Sequence, residues 1–503
     1  MRKTIAICTL LLATLSLGAR PKYITYEKFG ARGDGVHDDF PAIVAAHEAA
    51  NRKGLPVRAR DGRKYYIGGG KQTAVIRTDT DFGKAEFIID DTSLEDISSY
   101  VFSVESDSKP FKVRGIGPVS KGQENLGVKL PCRCVVEIRN DGRKTYIRKG
   151  LNRNDGTAQR EMLLVDADGT ISGNSRPVWD YGKVTSATAY PIDEKPLTIK
   201  GGVFTTIANL AESRYDYHGR GFTVSRSNVH IEGMTHKVTG EGKNGAPYAG
   251  FISMRNSSGI TMKDCLMTGH KTYKTIGSAG LPVAMGSYDI NASSCIGLLF
   301  ENCTQTNSID DRAYWGTFTS NFCKDLTLKG CILSRFDAHQ GVDGVTLQDC
   351  TFGHQAVQMV GFGTILLENC EVHADWLVSL RGDYGSTWDG NIMARNCTLK
   401  ARGRSKSVSI LSGHNDGSHD FGYPCRLPRE IRIEGLRIDD STAGDCDGPY
   451  VLASFSRKAG VKEPFPFGTD CEVVLKNVSV ASGKPLVAAP NPEAFPGLNV
   501  TRR

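Results

Sequence analysis

Between Ser334 and Gly341 the chain reads Ser-Arg-Phe-Asp-Ala-His-Gln-Gly, so Arg335, Asp337 and His339 occupy alternating positions. On an extended strand such residues share one face. An imidazole moves protons near neutral pH, and a guanidinium neutralises and orients a carboxylate. Further segments carry the same residue types. Thr268–Ser278 gathers His270, Lys271 and Lys274; Asp310-Asp-Arg-Ala-Tyr-Trp315 brings two aspartates beside Tyr314; Leu380–Trp388 supplies Arg381, Asp383 and Tyr384. Upstream, Arg214-Tyr-Asp-Tyr-His218 adds His218. A base, an acid and a cation together suit proton abstraction beside a carboxylate, with the cation stabilising the anion that develops. Asp310, Asp311, Asp337 and Asp383 could instead furnish the paired carboxyls that hydrolysis of a glycoside needs.

Segments so far apart meet only if the fold stacks them on one side, and a repeat in the sequence provides the stacking. Ile260-Thr-Met-Lys-Asp-Cys265 recurs as Leu298-Leu-Phe-Glu-Asn-Cys303, Leu326-Thr-Leu-Lys-Gly-Cys331, Val345-Thr-Leu-Gln-Asp-Cys350, Ile365-Leu-Leu-Glu-Asn-Cys370 and Ile392-Met-Ala-Arg-Asn-Cys397. Ile431–Leu436 and Val473–Val478 are copies with an aliphatic residue in the cysteine's place. A strand unit repeating roughly every twenty residues is a solenoid coil that buries its apolar face only by stacking on its neighbours. Residues at equal offsets from successive cysteines then form lines along the axis. Four past the cysteine stand Gly269, Asn307, Arg335, His354 and Ala374, just ahead of the polar residues singled out above.

The chain has fourteen cysteines. The six ladder cysteines alternate with aliphatic residues, and Leu436 and Val478 replace the type, which favours buried thiols over disulfides. Zinc ranks behind both, since no CxxC pair occurs. Arg2 and Lys3 ahead of the apolar run Ile5–Leu17, with Leu17-Gly-Ala19 as cleavage site, read as an export signal covering residues 1–19. An uncleaved anchor is the alternative. Cleavage would leave a secreted or periplasmic protein without stable membrane insertion. It would remove two of the positive charges, taking the formal net charge from +7 to +5. That balance permits an acidic partner, while the absence of clustered basic runs with aromatic platforms argues against nucleic acid.

Phe29-Gly-Ala-Arg-Gly-Asp-Gly-Val-His-Asp-Asp39 leads into Phe40–Asn51, where Ile43, Ala46 and Ala50 have helical spacing, Asp38 or Asp39 can cap the start and Pro41 suits the first turn. This opening resembles that of the pectate-lyase-like superfamily, which includes polygalacturonases and many phage depolymerases. The resemblance implies a right-handed parallel β-helix whose N-terminal helix covers the first coil. It implies action on a polysaccharide, and makes the Asp38–Asp39 pair structural. Polygalacturonase relatives carry paired aspartates, a Gly-His-Gly and an Arg-Ile-Lys. Here Asp310-Asp311 and Gly353-His354 are partial counterparts and Arg-Ile-Lys is missing.

The expected architecture is all-β. A single-chain right-handed parallel β-helix has its cap and first coils in 20–120, an inserted small β module in 121–196 and the main solenoid with its tail in 197–503. The expected activity is β-elimination on a uronic-acid polysaccharide. His339, Tyr314, Arg335 and Lys271 are the catalytic candidates; Arg381, Asp337, His270, Tyr384, His218 and Lys274 are the substrate-binding ones. Hydrolysis by paired aspartates and noncatalytic glycan binding on the same groove are the alternatives. No cofactor is implied with certainty. Calcium remains possible through Asp310-Asp311 or through Asp416 and Asp420.

Overall fold

The computed structural model describes residues 23–95, 99–148, 153–209, 219–241, 248, 250–276, 280–414, 421–453, 455 and 467–503. The export-signal segment and His218 lie outside these residues.

The first aliphatic residues of the repeats pair in register from coil to coil. Val229, Ile260, Leu298, Leu326, Val345, Ile365, Ile392, Ile431, Val473 and Val500 form one unbroken parallel ladder. Two more parallel faces complete each coil. One runs through Leu266, Thr304, Ile332, Thr351, Glu371, Thr398, Arg437 and Ser479. The other runs through Ile252, Ile290, Phe318, Phe336, Val357, Val378, Leu411 and Leu452. The described residues therefore form a parallel β-helix, all-β apart from Phe40–Lys53 and a few short 3-10 turns.

The residue before each ladder cysteine explains the Asn/Asp/Gly in the motif. Asp264, Asn302, Gly330, Asp349, Asn369 and Asn396 all have φ between 50° and 62°, the left-handed region that these types tolerate best. They turn the chain from the first face to the second. The cysteines that follow point inward and are at most 2% exposed. All described cysteines are unbridged, so the thiols pack as small apolar groups. In the early coils aromatic rings take over: Phe87 stacks on Phe204 at 4.8 Å and Phe102 on Phe222 at 4.5 Å, close to the spacing of parallel strands. Each such ring stabilises the fold by about 2–3 kcal/mol through burial.

The helix Phe40–Lys53 buries Phe40, Ile43, Ala46 and Ala50 against the first coils and ends at left-handed Gly54. Asp39, 1% exposed, does not cap it through its side chain; the carboxylate accepts the N–H groups of Arg32 and Gly33 at 2.6 and 3.0 Å and so ties down the preceding turn. Asp38 accepts the Phe40 N–H at 3.1 Å.

Strands Phe111–Lys112, Cys134–Thr145, Thr157–Val165 and Ser186–Pro191 form a separate antiparallel sheet with its own core around Val136, Ile138, Leu163 and Tyr181. Its first strand precedes Lys121, where the coil repeat visibly breaks. The sheet's other face sets Val135, Met162 and Leu164 on Ile296 of the solenoid. A buried ion pair fixes it there: Lys324 Nζ meets Glu161 Oε2 at 2.6 Å and donates to the Ser175 and Arg176 carbonyls at 3.1 and 2.8 Å. Tyr146, at the end of this sheet, packs on Phe322, Tyr384 and Tyr423. The module thus forms a wall along the corner where the third face turns into the first.

Candidate active site

Strand alternation within Ile332–Gln348 sends Phe336 and Ala338 into the core and brings Arg335, Asp337 and His339 together on the other face. His339 Nε2 lies 2.9 Å from Asp337 Oδ2, and Arg335 Nη2 lies 2.5 Å from the same oxygen. Two coils further on, Arg381 Nη1 donates to both Asp337 oxygens at 2.7 and 2.9 Å. Arg381 uses Nε and Nη2 on Asp383, at 3.2 and 3.1 Å. The module completes the chain of charges: Arg148 Nη1 reaches Asp383 at 3.0 Å, its guanidinium 5.3 Å from the Tyr384 ring centre. From two coils earlier the Tyr288 hydroxyl donates to Asp337 and stands 3.4 Å from His339 Nε2. That reach is possible because Gly316 lies between. A Cβ there would stand 3.3 Å from the Tyr288 ring and 3.2 Å from Arg335 Cβ.

Asp337 is fully buried. Burial alone would raise its proton affinity, but Arg335, Arg381 and His339 outweigh it and hold the carboxyl well below the usual range. Asp383 is also lowered, by Arg381 against its own burial. Burial lowers His339, assisted by Arg381 and Arg335 and opposed by Asp337, so the ring is neutral at pH 7. Burial keeps the Tyr288 phenol protonated. An ionised carboxylate can only accept, so Nε2 of His339 carries the hydrogen and Nδ1 holds the free lone pair. With 30% of its side chain exposed, His339 is a base open to solvent. Three guanidiniums (Arg148, Arg335, Arg381) face two carboxylates (Asp337, Asp383), so the centre carries net positive charge.

No family model matches the chain. Among solved structures it is similar to the tailspike protein gp49 of Pseudomonas phage LKA1, with 16% identity, a TM-score of 0.55, and coverage of 95% of this chain and 84% of that one. The chain shares the parallel β-helix fold of that tailspike. A weaker likeness, with a TM-score of 0.45 and 10% identity over 95% of this chain and 79% of the other, links this β-helix to the Gp54 tailspike of Acinetobacter baumannii bacteriophage AP22, solved with a capsular saccharide. In sequence the β-helix is 25% identical over 141 residues to a KL64-specific capsule depolymerase of Klebsiella phage P510. That match covers 25% of this chain and 13% of the depolymerase.

The β-helix brings four sequence candidates together: His339, Arg335, Asp337 and Arg381. It places the other described candidates elsewhere. The phenol beside His339 is Tyr288, not Tyr314, whose carbonyl accepts from His354 Nε2 at 3.0 Å. Lys271 pairs with the Tyr314 backbone and sends Nζ to the Glu241 carbonyl at 3.4 Å. His270, 1% exposed, is buried in a second cluster with Asp289, His236 and Glu241. Tyr384 is 4% exposed, with its hydroxyl taken by Gln340 at 3.2 Å, so it is wall rather than contact. Arg381, read as a substrate ligand, is committed to Asp337 and Asp383. Lys274 is exposed on the hairpin Tyr273–Ile276 with Pro282–Met285. Asp310 is paired with Arg402 at 2.8 Å and His373 at 3.1 Å, which leaves it a poor calcium ligand; Asp416 and Asp420 lie outside the described residues. Tyr288, Arg148 and Gln358, whose Oε1 accepts from Arg335 Nη2 at 3.1 Å, were missed. Tyr288 stands two residues before Ile290, as Gly316 stands before Phe318, so the register of the third face could have found it. Arg148 belongs to no repeat and left no such signal.

Proposed function

We propose that this β-helix degrades an acidic polysaccharide by β-elimination, with His339 as the base. One observation carries the reading: a neutral, solvent-facing imidazole is held by a buried carboxylate inside a net positive cluster. The fold and the partial likeness to a capsule depolymerase support a polysaccharide as substrate. The segment Arg2–Ala19 supports action outside the cytoplasm.

His339 Nδ1 takes the proton from the carbon next to the sugar carboxylate. The C–H electron pair becomes the new ring double bond, and the glycosidic C–O bond breaks. The positive cluster stabilises the enolate character that develops, and Asp337 stabilises the imidazolium. That imidazolium then protonates the departing oxygen, which returns the proton balance to zero. Hydrolysis by a carboxyl pair needs one member that keeps its proton; Asp337 and Asp383 are both held ionised.

Incubation with pectate, alginate and glycosaminoglycans, followed by near-ultraviolet absorbance, tests this. Elimination yields an absorbing unsaturated uronate, and His339→Ala abolishes it with the fold retained. New reducing ends without absorbance would establish hydrolysis, and binding without cleavage would establish a noncatalytic role.

A further inference from the structure

His354 is an enclosed imidazole that the reaction above leaves unused. His354 is 8% exposed, and its Nε2 donates to the Tyr314 carbonyl at 3.0 Å. The turn carrying Tyr314 is clamped to its coil: the His354 N–H bonds the Ile309 carbonyl at 3.1 Å, and a Cβ on Gly353 would come within 1.9 Å of that oxygen. A second loop is clamped alongside. Asp375, 1% exposed, accepts the N–H groups of Arg402, Gly403, Arg404 and Ser405 at 2.6, 2.8, 2.6 and 2.6 Å, and Arg402 Nη2 reaches Asp310 at 2.8 Å. These clamps fix the turn that carries Arg312 and the loop that carries Arg404, one on each side of the coil of buried Arg335, within electrostatic reach of His354. Arg404, Arg335 and Arg312 all disfavour a proton on His354, after burial, which acts most strongly.

The nearby acids are already engaged. Asp375 serves four N–H groups, Asp310 serves Arg402 and His373, and Glu371 serves His373 and Lys400. Asp311 turns one oxygen to the Ala313 N–H. Arg312 and Arg404 are exposed and form no ion pair among the described residues. Arg335, with 3% of its side chain exposed, keeps Nε and Nη1 without a partner. Trp315, whose ring centre lies 4.7 Å from that guanidinium, keeps its indole N–H without one. Buried donors without acceptors are rare and call for a group that supplies one.

We propose that Arg312 and Arg404, with the unused donors of Arg335 and Trp315, form an anion subsite around His354 that receives a second carboxylate of the polysaccharide, on a sugar other than the one at His339. This rests on the polyuronate reading above and extends it to substrate recognition: the enzyme would require acidic residues at two places along the chain.

The test uses the full chain carrying His339→Ala, so that no turnover occurs, with tetragalacturonate and tetramannuronate as probes and cellotetraose as the neutral control. Calorimetry and histidine-selective NMR provide the readouts. Binding of at least one uronate tetramer is expected to raise the titration midpoint of His354. Adding Arg312→Ala and Arg404→Ala is expected to weaken that binding by about tenfold for each guanidinium lost. Unchanged affinity in that variant, an unmoved His354 midpoint on binding, or no uronate binding at all would each overturn the subsite. In the parent enzyme, binding without cleavage would count against elimination and leave the subsite standing. Uronate cleavage by the parent enzyme together with unchanged affinity in the arginine variant would count against the subsite alone.

Discussion

Asp337→Asn keeps the shape of the side chain and removes one charge. In the native protein Asp337 accepts from Arg381 at 2.7 and 2.9 Å, from Arg335 at 2.5 Å, from Tyr288 and from His339 at 2.9 Å. Two guanidiniums with 3% and 14% of their side chains exposed then lose the anion between them. Breaking a buried ion pair on one side costs about 3–5 kcal/mol, and water reaching Arg381 places the expected loss at the lower end of that range. The second effect is chemical. The amide can donate to Nε2, so it ceases to select the tautomer with a free lone pair on Nδ1, and it cannot stabilise the imidazolium. Loss of an oriented base lowers turnover by about 10²–10⁴-fold. Urea unfolding measures the first effect. Absorbance assays on whichever polyuronate the parent cleaves, with NMR of the His339 ring nitrogens, measure the second. A variant as stable and as active as the parent, with the same tautomer, would refute the arrangement argued here.

Three further outcomes are expected. The rate should rise with pH along a limb set by His339 and then level off, because the neutral ring is the active form; burial and the arginines put that limb below the ordinary histidine value, which a pH–rate profile checks. His270 should make stability fall from neutral to alkaline pH. The carboxylates of Asp289 and Glu241 outweigh burial and raise it to about 9, so its contribution is complete below the unfolded value of about 6.5 and is lost as pH rises through about 9. Melting curves across that range should show a decline of roughly 3 kcal/mol that His270→Gln removes. Lys324→Met should cost about 3–5 kcal/mol by leaving Glu161 buried and unpaired, and adding Glu161→Leu should restore most of it, as a double-mutant cycle would measure.

The coils were legible because their rule is local. Each needs an alternating strand, a residue that accepts a left-handed turn and a small inward group, and Leu298–Cys303 or Ile365–Cys370 state all three in six letters. The Arg335, Asp337 and His339 face followed from the same alternation. Tyr314 and Lys271 misled because their turn leaves the strand spacing, and beyond it offsets from a cysteine no longer convert to position. His270 misled for a different reason: polar residues that abandon the repeat can turn inward when a partner such as Asp289 waits there. Arg148 was out of reach, since its place depends on how a nonrepeating sheet docks through Glu161 and Tyr146.

The site draws on five successive rungs of the third face: those of Ile290, Phe318, Phe336, Val357 and Val378. Tyr288 crosses one of them, and Arg381 answers Asp337 across another. Its geometry is therefore a sum over consecutive registers, and one residue gained or lost in any of those strands would turn a ligand of Asp337 into the core. Whole coils added before Ile252 or after Leu452 would shift the site along the axis without changing a distance within it. The molecule thus divides into a stretch whose length is fixed to the residue and flanks whose length is free, and natural or designed variation in coil number belongs in the flanks.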